Sequence, residues 1–243
     1  MEARTGQSQV YDSKALLGEF DSLLRIARKV GIKFLDDEAI EQLALQSRVE
    51  YEILIPQLPY VGGEKSPFTP LMIQSGQTVA FYHACRKIGL EKEQIGELIY
   101  EIAEAQMKTI SRFKKWFARR LVFSKSYRDR WRKATAESQN REFTTNWVGE
   151  FVEGTGKDFE FGFDFIECGF LKLAREKGGE EIAPYGCLCD FVRMRALGIG
   201  FRRTQTLAMG HPRCDFRFLK DYETPRGWPL ESLEEVRNSP RRK

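Results

Sequence analysis

The sequence predicts an α+β protein, with a helical N-terminal half followed by a ββααββ antiparallel-sheet half. Three observations carry this. Through about residue 117, apolar residues recur every three or four positions, the repeat of helices with one buried face. From Phe143 the repeat drops to two, the period of strands. Beyond that, strand-like and helix-like runs follow in the order ββααββ, which suits a sheet with helices packed on one face.

Leu16, Leu17, Phe20, Leu23, Leu24 and Ala27 mark the first helix, behind a cap at Asp12 or Ser13. Ile40, Leu43, Ala44 and Ile53 mark a second, opened by Asp36 and Asp37 and closed before a loop from Pro56 to Pro70 that holds four prolines and the pair Gly62-Gly63. A third helix, about Leu71 to Ile88, carries His83 and Cys85. A long fourth starts near Glu91 and is expected to bury Ile95, Leu98, Ile99, Ile102, Ile110, Phe113 and Phe117. Phe143, Thr145, Trp147, Gly149 and Phe151 then alternate with Thr144, Asn146, Val148, Glu150 and Val152 as a strand. After the turn Gly154-Thr155-Gly156, Phe159, Phe161, Phe163 and Phe165 alternate with Asp158, Glu160, Gly162 and Asp164. Short helices over about Cys168–Lys177 and Pro184–Leu197 precede a hairpin pairing Ile199–Met209 with Arg213–Leu219 across Gly210-His211-Pro212. The chain thus divides into a helical region, 1–135, an α+β region, 136–225, and a C-terminal tail, 226–243, whose last residues from Arg237 read as a frayed end.

A 243-residue chain with 42% hydrophobic residues can bury a large core, which excludes global disorder. Polar residues follow Met1, so no signal peptide is expected, and no apolar run approaches the roughly 20 residues of a membrane span; a cytoplasmic setting follows. The net charge of +4 is too mild to imply nucleic acid. Locally, residues 108–133 carry eleven Lys and Arg against one acid, Asp129, interleaved with Phe113, Trp116, Phe117, Phe123, Tyr127 and Trp131. Such a pattern suits a phosphate-backbone groove or an amphipathic helix on an anionic membrane. Because Glu91, Glu93, Glu97, Glu101 and Glu104 precede it, a solvated face paired with acidic neighbours is the simpler expectation, and nucleic acid is not the expected partner.

Five cysteines and two histidines dominate the candidate chemistry. With Pro184 in the first turn of its helix, Cys187 lies near a helix N-terminus, where unpaired amides stabilise a thiolate. Asp190, three residues on, shares its face as a partner for a cationic substrate group or as a proton acceptor. Cys168 repeats the arrangement one helix earlier. Cys214 alternates with Phe216 and Phe218 and should point inward, leaving Asp215 and Arg217 on the outer face. Cys85 and Cys189 read as buried core thiols. His83, on a helix beside Tyr82, suits a satisfied helix histidine, and His211 an exposed turn.

Four pieces, in order, give the C-terminal half a family likeness: Glu167-Cys168-Gly169, Cys187-Leu188-Cys189-Asp190, Arg203-Thr204-Gln205-Thr206-Leu207-Ala208-Met209-Gly210 and Cys214-Asp215-Phe216-Arg217-Phe218. Over these fifty or so residues the chain resembles the L-2-amino-thiazoline-4-carboxylic acid hydrolase family. The resemblance implies hydrolytic opening of a small ring at an amidine- or amide-like carbon of amino-thiazoline, lactam or cyclic urea type, without an organic cofactor. In the scheme it suggests, Cys187 attacks the ring carbon and Asp190 holds or deprotonates the amidine nitrogen. Cys168 and Cys214 complete the catalytic set. Arg203 or Arg217 grips a substrate carboxylate, while Thr204, Thr206, Asp215 and His83 are further substrate-binding candidates. Two alternatives stand beside it. Cys168, Cys187 and Cys214 could ligate a zinc ion with Asp190, His83 or water as fourth ligand, although their spacing fits no standard finger. A non-catalytic sensor enclosing a small hydrophobic ligand would equally use the eighteen phenylalanines. A homo-oligomer is compatible with either.

Overall fold

The structure is a computed structural model, and it describes residues 11–240. The opening ten residues, read as lacking a signal peptide, and the last three of the tail lie outside the described residues. Six helices come first: α1 (Ser13–Gly31), α2 (Asp37–Leu54), α3 (Thr69–Lys87), α4 (Lys92–Lys108), α5 (Arg112–Val122) and α6 (Lys125–Ser138). Their starts follow local chemistry. The Asp12 and Asp36 carboxylates accept the Ala15 and Ala39 amides, Pro70 sits in the first turn of α3, and Glu91 and Gln94 cap α4 reciprocally.

Strands β1 (Val148–Glu153) and β2 (Phe161–Glu167) follow, then α7 (Gly169–Glu176), α8 (Ala183–Leu197), β3 (Gly200–Arg202), β4 (Cys214–Leu219) and a short α9 (Glu234–Arg237). The sheet is antiparallel in the order β1-β2-β4-β3. In register, Phe161 opposes Phe218, Phe163 opposes Phe216 and Phe165 opposes Cys214, so these side chains share the face that meets the helices. The opposite face carries Asp164, Asp215 and Arg217. One hydrophobic cluster runs from Phe20 and Met72 through Tyr100 and Trp131 to Phe163, Leu188 and Phe218, so helices and sheet bury a common core. Helices α4 and α8 meet where Gly96 leaves room: a Cβ there would lie 2.1 Å from the Tyr185 ring.

Several boundaries differ from the sequence expectations, each for a local reason. The fourth helix breaks at Thr109–Ser111, because the Ser111 hydroxyl accepts the Lys114 amide and caps a new helix, α5. Phe113 and Phe117, expected in the core, consequently stand in solvent, as does Ile53 of α2. The first strand begins at Val148, not Phe143, since Asn146 N–H bonds back to the Phe143 carbonyl in a turn. Phe159 likewise precedes β2, in the reverse turn where the Gly156 amide meets its carbonyl. The second hairpin is shorter than expected. Beyond Arg202 the Asp215 side chain takes the Thr204 and Gln205 amides, at 2.8 and 2.7 Å, and the chain leaves the ladder for a 3-10 turn at Leu207–Met209.

The C-terminal segment packs back onto this half. Thr224 accepts the Phe201 amide and donates to the Ile199 carbonyl, completing the free edge of β3. Leu230, Leu233, Val236 and Ser239 are buried, and the Ser239 hydroxyl bonds the Met209 carbonyl, so Arg237 to Ser239 form part of the packed fold where a frayed end was expected.

Candidate active site

A cavity of about 310 Å³ opens between α3, α8 and the inner face of the sheet. Its walls are chiefly apolar, with Trp147, Phe163 and Phe216 among them, and its polar groups come from α3, the start of α7, α8, β4 and Arg203 beyond β3. Helix α8 presents Cys187, Asp190 and Arg193, β4 presents Cys214, and Cys168 enters at the start of α7. All five cysteines are free.

Cys168 is the residue that caps α7. Its side chain closes no short cap bond, yet the Leu171 and Phe170 amides and the Trp147 side chain favour its thiolate. Burial acts against them and dominates, so the thiol pKa is raised overall. Cys187 was expected at a helix N-terminus. Helix α8 begins at Ala183 after a 3-10 turn, which places Cys187 in the second turn, beyond the four unpaired amides. Burial pushes its thiol well above the ordinary value, with Arg203 pulling the other way. The Cys214 thiol is pushed up to about 12 by burial, although it receives the Leu207 amide at 3.2 Å and lies 3.5 Å from the Thr206 hydroxyl. Thr206 also reaches the Cys187 sulfur at 3.9 Å, so one hydroxyl links two thiols.

Behind the cavity lies a buried ion-pair network. Arg203 has a fully buried side chain; Glu235 takes Nε and Nη2 at 2.6 and 2.8 Å, Asp190 takes Nη1 at 2.8 Å, and the Cys187 carbonyl accepts from Nη2 at 3.1 Å. Phe191 and Phe216 pack against its guanidinium, 5.0 and 5.2 Å from the ring centres. Burial alone would lower the Arg203 pKa, but the Glu235 carboxylate holds it well above the ordinary value. Four of its five N–H groups therefore serve the fold, and its visible effect is to fix Asp190 and the backbone at Cys187.

The other sequence candidates fall in different places. Thr204 donates its hydroxyl to Asp215 at 2.6 Å, and both brace the chain after β3. Arg217 lies on the outer face, bonded to Asp164 at 2.7 Å and to the Phe163 and Phe216 carbonyls. Asp215 and Arg217 thus each find a partner other than the other. His83 is on α3 beside Tyr82, whereas α3 turns Leu71, Gln74, Ser75 and Thr78 to the cavity. Cys85 is fully buried and Cys189 is half-buried at the cavity wall, its thiol raised to about 11 by burial. Among the described residues, no group of three or more His, Cys, Asp or Glu side chains is arranged to hold a metal ion.

Two residues were not foreseen. Arg193 lines the cavity and, among the described residues, forms no ion pair; its Nη2 is held at 2.8 Å by the Gln74 side chain. Its spacing of three from Asp190 on one helix was a readable signal. Glu235 carried none, since a carboxylate in an apparent tail gives no hint that it will be buried.

A family model described as L-2-amino-thiazoline-4-carboxylic acid hydrolase matches residues 71–218. The chain belongs to this family. The matched segment opens at the first cavity residue of α3, Leu71, and closes at Phe218 of β4, so it contains the whole cavity lining and leaves out Glu235. No curated protein and no solved structure matches the chain.

Burial raises each cavity thiol, which opposes the thiolate stabilisation that the sequence suggests for Cys187 and Cys168. Alkylation of Cys168 by iodoacetamide, followed by peptide mass spectrometry, should keep rising about tenfold per pH unit beyond pH ~9. A plateau below pH ~8 would contradict this. The same shifts make stability fall in alkali: a thiol still protonated in the fold but ionised when unfolded favours the unfolded chain once the pH passes about 8.5.

Proposed function

We propose that this protein hydrolyses a small cyclic amidine or amide, the amino-thiazoline of the family's description among the candidates, by thiol catalysis, with Cys168 as the nucleophile. The observation that carries the reading is a half-buried thiol at the first turn of α7, lining a cavity that also holds the Asp190 carboxylate. Family membership supports the hydrolytic class. Cys187, the nucleophile in the sequence-based scheme, lacks the helix-terminal amides and becomes a wall residue. A reducing cytoplasmic setting suits a site that needs free thiols.

Asp190 accepts the Cys168 proton as sulfur bonds to the ring carbon, and the π pair at that carbon moves to nitrogen in an amidine or to oxygen in an amide. As that pair returns, the ring bond from this carbon to its heteroatom breaks, and Asp190 gives the proton to the departing heteroatom. Water then adds to the same carbon, losing a proton to Asp190. The Cys168 sulfur leaves, regains a proton, and the opened product carries one added water. A thiol with a raised pKa is a strong nucleophile once deprotonated, so a nearby base is needed more here than at a preformed thiolate.

Arg193 and Gln74 provide the site's free cationic grip, and an anionic group on the substrate, such as a ring carboxylate, would dock there. Arg193→Gln should raise KM for a carboxylate-bearing ring about 10- to 100-fold and leave its uncharged analogue little changed. Equal effects on both would remove this role. Screening thiazolines, lactams and cyclic ureas with the wild type beside Cys168→Ala and Cys187→Ala tests the reaction class.

A further inference from the structure

Helix α5 is the feature that the fold and the cavity leave unexplained. Its only buried residue is Val122. On the far side, Phe113, Trp116, Phe117 and Leu121 are 72, 52, 57 and 46% exposed, and their spacing of three and four forms one apolar stripe along the helix. Scattered exposed apolar residues are ordinary, but four large ones on three turns are not. Five cations, Arg112, Lys114, Lys115, Arg119 and Arg120, flank the stripe, and the helix contains no acid.

The solvated-face expectation does not account for them. Two glutamates of α4 meet other cations: Glu101 bonds Lys33 at 3.1 Å, and Glu104 pairs with Arg195. By contrast, no α5 cation forms an ion pair among the described residues. Arg119 reaches the Lys220 carbonyl, and Arg120 stacks on Trp116 at 5.0 Å. On α6, Lys125 and Arg132 share Asp129 and Lys133 meets Glu137, while Arg130 reaches the Lys65 carbonyl, so of these two helices α5 is the one whose basic residues all lack an acidic partner among the described residues.

We propose that α5 is a membrane-contact helix that seats its aromatic stripe among the headgroups of an anionic bilayer. The charge complementarity is direct, since anionic lipid supplies the countercharge that the protein does not. Phenylalanine, tryptophan and leucine fill the shallow apolar layer beneath, and the long lysine and arginine side chains reach back to the phosphates. A nucleic-acid groove fits less well: the rings project from a convex helix, with no facing wall to hold a base between them. The cytoplasmic leaflet is the matching surface. The proposal does not depend on the cavity's chemistry.

The test is co-sedimentation of the full-length protein with phosphatidylcholine vesicles, with and without phosphatidylserine. Wild type should bind the phosphatidylserine vesicles only. Binding should weaken with added salt and shift the tryptophan emission to the blue, because Trp116 is the exposed tryptophan. Phe113→Ser with Phe117→Ser should abolish the binding, and Lys114→Ala should weaken it about fivefold. These side chains are exposed, so the variants should keep the wild-type melting temperature, which separates lost binding from lost folding. Failure to sediment with phosphatidylserine overturns the proposal, as does equal binding by the serine variant. Two other results also overturn it: preferential retention on single-stranded nucleic acid, and a dimer by light scattering that Phe117→Ser dissociates.

Discussion

Cys168→Ala is expected to lower turnover of any ring that the wild type opens by roughly three orders of magnitude or more, while the melting temperature changes little. Losing a covalent nucleophile removes the lower-barrier route altogether, and what remains is the catalysis that binding and positioning supply. Cys187→Ala separates the alternatives. Its sulfur shares Thr206 with Cys214 and lines the same cavity, so its loss should perturb binding by a modest factor. Trapping the adduct by rapid quench and mass spectrometry should add the mass of one intact substrate, before water enters, to the peptide holding Cys168. A Cys168→Ala protein with wild-type turnover, or an adduct on Cys187, would end the assignment.

The largest loss of stability is expected from Arg203→Met. This substitution leaves Glu235, 1% exposed, as a buried carboxylate without its cation, and frees Asp190 from the partner that fixes it. Breaking a buried pair from one side costs about 3–5 kcal/mol, because the remaining charge is neither hydrated nor compensated. Replacing both members by apolar residues, Arg203→Met with Glu235→Leu, should recover most of that loss in urea denaturation, since the desolvation penalty disappears with the charges. A single-variant cost below about 1 kcal/mol would show that water reaches the pair. Activity adds a second readout: the double variant should fold yet remain slow, since Asp190 no longer has the guanidinium that orients it.

The order of elements was legible wherever one period dominated. The alternation through Phe161, Phe163 and Phe165 predicted an inward face, and that face meets the helices in the folded chain. Where capping competed with periodicity, the pattern misled. Ser111 ends the long fourth helix, and the stripe that looked like core, Phe113 and Phe117, is turned outward by that break. Asp215 was read as a surface charge, yet by binding two amides it shortens β3 and shapes the loop that carries Thr206 to the thiols. The four motif pieces were visible as an ordered set, and the family match spans them.

By itself, the sequence determined the α+β class, the inward face of β2 and β4 and the family, because each is written in local spacing or in ordered motifs. Only the tertiary structure decided which thiol caps a helix beside the cavity, that Arg203 faces Glu235 from 32 residues away, and that Arg193 meets the Gln74 amide oxygen. The physical reason is that solvation and charge pairing at a site depend on what packs against it. Segments remote in sequence make that environment, and no local period records their arrival.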